Sequence, residues 1–275
     1  MKIKELLKIG EEQIGKEKSV LLLSSLLDVG KLDLIIHEEQ EIDKDKAQEF
    51  YNQINEVKKN IPIQYVIGNV NFYGYTFYVN KNVLIPRFET EELVDNTLKL
   101  IKKYFSNNCK VLDIGCGSGA IGLTLKKELP YLDVTLLDIS KEALKVSKEN
   151  ALNLNTNVTF IESDFLTNVK SKYDVIISNP PYIKTNEEIE EIVKNNEPHL
   201  ALYGGIDGLD CYRKIRKDIL KHLNDNFIIA FEIGYDQKED IINLFSDISN
   251  INIECKKDLN GFDRMIFITK MNKNI

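Results

Sequence analysis

The apolar run from Tyr173 to Ser178 stops abruptly at Asn179-Pro180-Pro181-Tyr182. Each proline fixes its φ at about −65° and has no amide to donate, and the residue ahead of each is pushed to extended geometry. The turn is therefore stiff, and its carbonyls find no local donors. Asn179 adds a side-chain acceptor, and Tyr182 an aromatic face with a polar tip. These residue types suit a planar –NH2 group, either a carboxamide or an exocyclic base amine. Such a nitrogen delocalises its lone pair and is a poor nucleophile. Accepting its two N–H bonds at the Asn179 side chain and the Pro180 carbonyl would orient it and support charge developing on nitrogen. Tyr182 would set its plane. Asn179, Pro180, Pro181 and Tyr182 are the candidate catalytic residues, and no strong general base is required because nitrogen becomes acidic as it is alkylated. A strand that merely turns is the alternative, and a second motif upstream argues against it.

That motif is Val111-Leu112-Asp113-Ile114-Gly115-Cys116-Gly117-Ser118-Gly119-Ala120, an apolar strand running through a glycine turn into a helix. Glycines at such a turn let the backbone bend sharply and approach a ligand closely. Asp138 closes the next strand about 20 residues on, where a carboxylate can accept both hydroxyls of a ribose. Together they indicate a nucleoside cofactor. A dinucleotide site would read G-x-G-x-x-G, with pyrophosphate on the helix N-terminus. Here the spacing is G-x-G-x-G and Asp113 precedes it. An acidic group near the loop suits a cationic ligand and repels a pyrophosphate. The expectation is S-adenosylmethionine.

Positioning these groups calls for alternating strands and helices. Apolar runs at 110–114, 134–137, 158–161, 173–178 and 227–233 read as strands, and 120–128, 141–150 and 209–223 as helices. The alternation predicts a Rossmann-like α/β domain with a mainly parallel sheet. The segments 251–257 and 264–269, around Asn260-Gly261, read instead as a C-terminal antiparallel pair. Residues 1–60 carry apolar positions near the helical period, with no residue that looks catalytic. Expected boundaries are a small helical docking domain at 1–68, a β-hairpin linker at 69–85 rich in aromatics, and the catalytic domain at 86–275.

Composition narrows the function. The chain has 275 residues, 43% hydrophobic and 29% charged, which fits one large globular domain with a small one. No apolar stretch approaches the roughly 20 residues of a membrane span, and the N-terminus lacks a signal-peptide core. A cytoplasmic protein without a membrane partner is expected. The four cysteines and three histidines are scattered, so neither a metal site nor a disulfide framework is predicted. A formal charge of −7 lowers the expectation of a nucleic-acid substrate, whose phosphates call for a basic face.

These motifs resemble those of class I N-methyltransferases, and their extent is similar to one family in particular, the peptide chain release factor glutamine methyltransferases (PrmC/HemK). The likeness covers nearly the whole chain. It includes Pro62 to Gly68, the run Val83 to Glu91 with Arg87, Asp207-Gly208-Leu209 with Tyr212-Arg213, Glu232-Ile233-Gly234, and Asp258 to Arg264. Base methyltransferases share Asn-Pro-Pro-Tyr but not this flanking set. The resemblance implies that the N-terminal helices help hold a release factor and that the methyl group goes to the glutamine of its Gly-Gly-Gln tripeptide. It implies cofactor contacts at Gly115, Cys116, Gly117, Ser118, Gly119 and Asp138, with Phe165 against the adenine. Asn179 joins the cofactor set too, because the sulfonium methyl would lie in line with the amide nitrogen it anchors. Two positions depart from the family pattern, Phe88 for a proline and Cys116 for a threonine. Two other readings stand beside it: an adenine-N6 or other nucleic-acid amine methyltransferase using the same turn, and a non-enzymatic module that binds release factors or ribosomal partners through the N-terminal helices. The sequence assigns no role to Glu232. For Arg87 an ion pair with Glu89 or Glu91 is as good a reading as a ligand contact, and the stretch Thr185 to Glu197 reads as a flap or solvated loop.

Overall fold

Residues near the N-terminus place leucine, isoleucine and phenylalanine at helical spacing, and five helices form there: α1 (Ile3–Ile14), α2 (Lys16–Leu27), α3 (Lys31–Ile36), α4 (Lys44–Lys58) and α5 (Ile63–Ile67). Gly15, at φ 85°, breaks α1 from α2. Asp43 caps α4 by accepting from the Lys46 amide at 2.8 Å. Leu6, Leu22, Leu23, Phe50 and Ile54 make the core of this unit. The structure, a computed structural model, describes residues 1–272. The described residues form two units, one of residues 1–69 with 189–196 and the other of 70–188 with 197–272.

The second unit begins at Val70, inside the first strand of a two-stranded hairpin, β1 (Asn69–Phe72) and β2 (Tyr75–Tyr78). Its Phe72 and Phe77 rings meet edge to face at 5.9 Å inside the main core. Then come α6 (Phe88–Tyr104), β3 (Lys110–Ile114), α7 (Ala120–Glu128), β4 (Asp133–Asp138), α8 (Lys141–Asn153), β5 (Thr159–Glu162) and β6 (Tyr173–Ser178). Helix α9 (Glu191–Asn196) follows in sequence but belongs to the first unit, where the Asn196 side chain donates to the Asn60 carbonyl. The chain closes with α10 (Asp210–Ile219), β7 (Leu223–Glu232), α11 (Lys238–Phe245), β8 (Asn252–Lys257) and β9 (Asp263–Lys270).

Seven strands form one sheet in the order β5-β4-β3-β6-β7-β9-β8. The first five are parallel and β9 runs antiparallel to both its neighbours, so the architecture is the Rossmann-like one expected, with a reversed C-terminal pair. Strands β3, β6 and the second half of β7 are mostly apolar and buried, lying between the two apolar clusters of the sheet's faces. The order reverses between β3 and β6. In an open parallel sheet the crevice at such a point, beyond the carboxyl ends of the strands, is where ligands bind. Glu191–Asn196 is helical where a flap or loop is expected, and α6 and α11 lie outside the helices read from the sequence.

Candidate active site

The pairing of β3 with β6 sets Ile114 opposite Ser178, and the Ser178 hydroxyl donates to the Ile114 carbonyl at 2.7 Å. The glycine turn and the double-proline turn therefore leave the sheet side by side. Between them lies a cavity of about 390 Å³, lined by Gly115, Gly117, Asp138, Phe165, Asn179, Pro180 and Pro181 among others. That size is within the usual range for a small-molecule site.

Gly115 and Gly117 have φ of 70° and 55°, in the left-handed region that side chains disfavour. A Cβ at either would meet no protein atom, so it would project into the cavity that both line. The turn is pinned by the Leu137 carbonyl, which accepts from the Gly115 and Cys116 amides at 2.8 and 2.9 Å. It is pinned again by Asp138, whose Oδ2 accepts from the Gly117 amide at 2.9 Å while Oδ1 accepts from Ser140 at 2.9 Å. Burial pushes the Asp138 carboxyl up, against the pull of these amides. Each oxygen keeps a lone pair for a ribose hydroxyl. Phe165 sits at φ 45°, a strained conformation for an aromatic residue, at the cavity wall with the Lys214 ammonium 5.4 Å from its ring centre. A side-chain-free cradle, a carboxylate at the end of β4 and an aromatic wall fit the nucleoside of S-adenosylmethionine.

Not every residue of the glycine motif reaches this space. Cys116, Ser118 and Gly119 do not line it. Cys116 is buried with its thiol beside Ser147, the Ser118 carbonyl accepts from Asn150 at 2.9 Å, and Gly119 begins α7. They shape the turn from behind. Asp113 also departs from expectation. It is fully buried, takes the Gly122 amide of α7 on Oδ2 at 3.0 Å, and lies outside the cavity lining, so its charge does not face a cationic ligand. Burial pushes its carboxyl up to about 7.

On the opposite wall, the Asn179 side-chain Nδ2 donates to Thr90 Oγ1 at 3.1 Å, and Thr90 donates to Glu232 Oε2 at 2.6 Å. Tyr182 is not among the cavity-lining residues. Its ring packs against the core on the β6 and β7 side, and its hydroxyl donates to Glu232 Oε1 at 3.3 Å. Burial pushes the Tyr182 phenol up and the Glu232 carboxyl up to about 7. Arg87 pairs neither with Glu89 nor with Glu91. Its guanidinium meets the buried Glu197 at 2.6 Å, and Glu197 also takes the Ile85 amide. Thr90 and Glu232 carry no sequence motif for ligand binding. The signals were their places in the segments Val83 to Glu91 and Glu232-Ile233-Gly234 that carry the family resemblance, and, for Glu232, an acidic residue ending an apolar run.

Residues 4–68 match the family described as "PrmC N-terminal domain", and residues 88–206 match "Methyltransferase small domain". A release factor glutamine methyltransferase of Bacillus cereus is 40% identical over 265 residues, covering 93% of this chain and 94% of that protein. One from Streptococcus pneumoniae is 40% identical over 268 residues, covering 96% of this chain and 94% of that protein. Among solved structures, a methyltransferase from Pyrococcus furiosus superposes with a TM-score of 0.54 at 18% identity, covering 79% of this chain and 97% of that one, which shows the shared fold. Sequence likeness that spans both units, over a sheet whose switch point carries the glycine and double-proline turns, places this chain in the release factor glutamine methyltransferase family.

Proposed function

We propose that this chain methylates the side-chain amide nitrogen of a glutamine in a peptide chain release factor, the glutamine of the Gly-Gly-Gln tripeptide, with S-adenosylmethionine as methyl donor. The single observation that carries this reading is the position and orientation of Asn179. Its Nδ2 is committed to Thr90, so its Oδ1 remains to accept, in the same cavity that Gly115, Gly117 and Asp138 line.

The chemistry of the residues follows from that placement. Asn179 Oδ1 and the Pro180 carbonyl accept the two N–H bonds of the substrate amide and hold its nitrogen at a fixed distance from the glycine turn. As positive charge grows on nitrogen, these N–H bonds polarise and the acceptors bind more strongly, which lowers the barrier rather than merely the ground state. Asp138 holds the ribose, Gly115 and Gly117 let the cofactor chain pass close to the backbone, and Phe165 flanks the base. When bound, S-adenosylmethionine supplies an electrophilic methyl carbon on a sulfonium. Tyr182 acts from behind the turn, stiffening it through Glu232.

A protein amide is supported over a nucleic-acid amine by the names of the relatives that match both units and by the formal charge of −7. Cytoplasmic location belongs to this reading, since release factors work on ribosomes; no helix among the described residues is long and apolar enough to cross a membrane. The test is mass spectrometry of purified release factors incubated with this protein and S-adenosylmethionine. One methyl group on the Gly-Gly-Gln glutamine is expected. Methylation of RNA or DNA in parallel incubations, with the release factors untouched, would overturn the assignment.

A further inference from the structure

A carboxamide can present oxygen or nitrogen by a half-turn, and only its oxygen accepts a proton. In this protein the choice is made by hydrogen-bond parity two residues away. An ionised Glu232 has only acceptors, so the Thr90 hydroxyl must spend its single proton on Oε2 at 2.6 Å. The Thr90 oxygen must then accept, and it accepts from Asn179 Nδ2 at 3.1 Å. Oδ1 of Asn179 is thereby turned away from Thr90. The other carboxylate oxygen takes the Tyr182 hydroxyl at 3.3 Å. One buried carboxylate thus ties both ends of the Asn-Pro-Pro-Tyr turn. Sheet register explains the proximity: Ser178 pairs with Phe231, and Asn179 and Glu232 are the next residues along two parallel strands.

The geometry points to Thr90 and Glu232 as positioning residues for amide methylation, with the charge on Glu232 relayed through Thr90 into the orientation of Asn179. This rests on the function proposed above and adds residues that touch neither substrate nor cofactor. Glu232 is faced by Thr90 and Glu89 from α6, by Tyr182, and by Arg264 from β9, while its own carbonyl takes the Tyr212 hydroxyl of α10. Burial dominates and pushes its carboxyl up to about 7; Glu89 adds to the rise, and Thr90, Arg264 and Tyr182 oppose it. Once protonated on Oε2, with Oε1 still accepting from Tyr182, Glu232 donates to Thr90 and Thr90 donates to Asn179. The Asn179 carboxamide then flips, and its NH2 confronts the substrate NH2, donor against donor. Turnover therefore falls as pH drops through about 7.

Two measurements test this. In the first, Thr90→Val removes the hydroxyl at nearly constant volume and Thr90→Ser keeps it. Thr90→Val lowers kcat about tenfold to a hundredfold, with KM for the release factor changed less than about twofold, and Thr90→Ser restores most of the rate. The acidic limb near pH 7 disappears in Glu232→Gln. Wild-type kcat in Thr90→Val, equal loss in Thr90→Ser, or an unchanged limb in Glu232→Gln overturns the relay. The second measurement needs no substrate. The Asn179 side-chain amide resonances, followed by 15N NMR across pH 7, move with Glu232 in the wild type and stay still in Thr90→Val. Static resonances in the wild type overturn the relay even if methylation is normal. Coupled resonances together with untouched release factors overturn the substrate assignment and leave the relay standing.

Discussion

Asp138 does two jobs with one carboxylate. It accepts the Gly117 and Ser140 amides, which fixes the glycine turn against the end of β4, and it offers its remaining lone pairs to the cavity. Asp138→Ala should therefore weaken S-adenosylmethionine binding by more than the loss of two ribose contacts. A drop in affinity of roughly tenfold to a hundredfold is expected, read by calorimetric titration, and affinity within a factor of about two of wild type would remove Asp138 from the site. The presence of Asp138 was legible in the sequence because a glycine turn and a carboxylate one strand later form a local pattern. The role of Thr90 was not. It lies 89 positions from Asn179 and 142 from Glu232, and only the folded sheet brings the three together.

Among the elements, the segment from Ile183 to Gly208 bears on the double-proline turn. Ile183 pairs with Tyr203, the Ile183 amide donates to the Leu202 carbonyl, and the Gly204 amide donates to the Ile183 carbonyl. Gly204 is packed so closely that a Cβ would overlap the Pro181 carbonyl oxygen and stand 2.7 Å from that of Gly208. Both are backbone atoms with little freedom to move. Gly204→Ala should thus push Pro181 and tilt the acceptors of the turn, lowering kcat while costing about 1 to 3 kcal/mol of stability. Paired turnover and denaturant-unfolding measurements check this; a variant with wild-type values for both would show that the segment yields. The central strands of the sheet were readable as apolar runs, as burial on both faces favours. Helix α9 was not, because six residues in an acidic, asparagine-rich stretch carry too little periodicity to register.

At the scale of the whole molecule, the second unit buries two carboxyls that hold their protons up to about pH 7, Asp113 and Glu232. In the unfolded chain they would release them at about pH 4. Between those values the folded chain binds more protons than the unfolded one, so their contribution to stability falls as pH rises from about 4 to about 7 and is level above. Asp113, with Oδ1 buried and unpartnered, carries on the order of 4 kcal/mol of this dependence. Asp113→Asn should flatten the curve, as urea unfolding of both proteins at pH 5 and pH 8, between which most of the fall lies, would show. Equal slopes for the two proteins would place the dependence elsewhere. Surface carboxylates act in another window: Glu39, drawn down to about 2 by Lys4 and Lys2, gives its full contribution above its ordinary range and loses it as pH falls from there through about 2.

What the amino-acid sequence by itself determined were the features whose cause is local. Prolines stiffen a turn wherever they stand, glycines open one, and alternating apolar and polar runs set strand and helix, so the sheet, the two turns and the nucleoside character of the cofactor were written in short windows, although the Asp113 charge read as favouring a cationic ligand does not face the cavity. The tertiary structure alone decided which members of those windows face the cavity. It turned Cys116, Ser118, Gly119, Asp113 and Tyr182 away from the cavity lining, gave Arg87 to Glu197, and placed Glu232 behind Asn179. The reason is that facing depends on register between strands distant in sequence, and a hydrogen-bond chain depends on three side chains meeting within a few tenths of an ångström, conditions that no segment of the chain can meet until the sheet has closed around it.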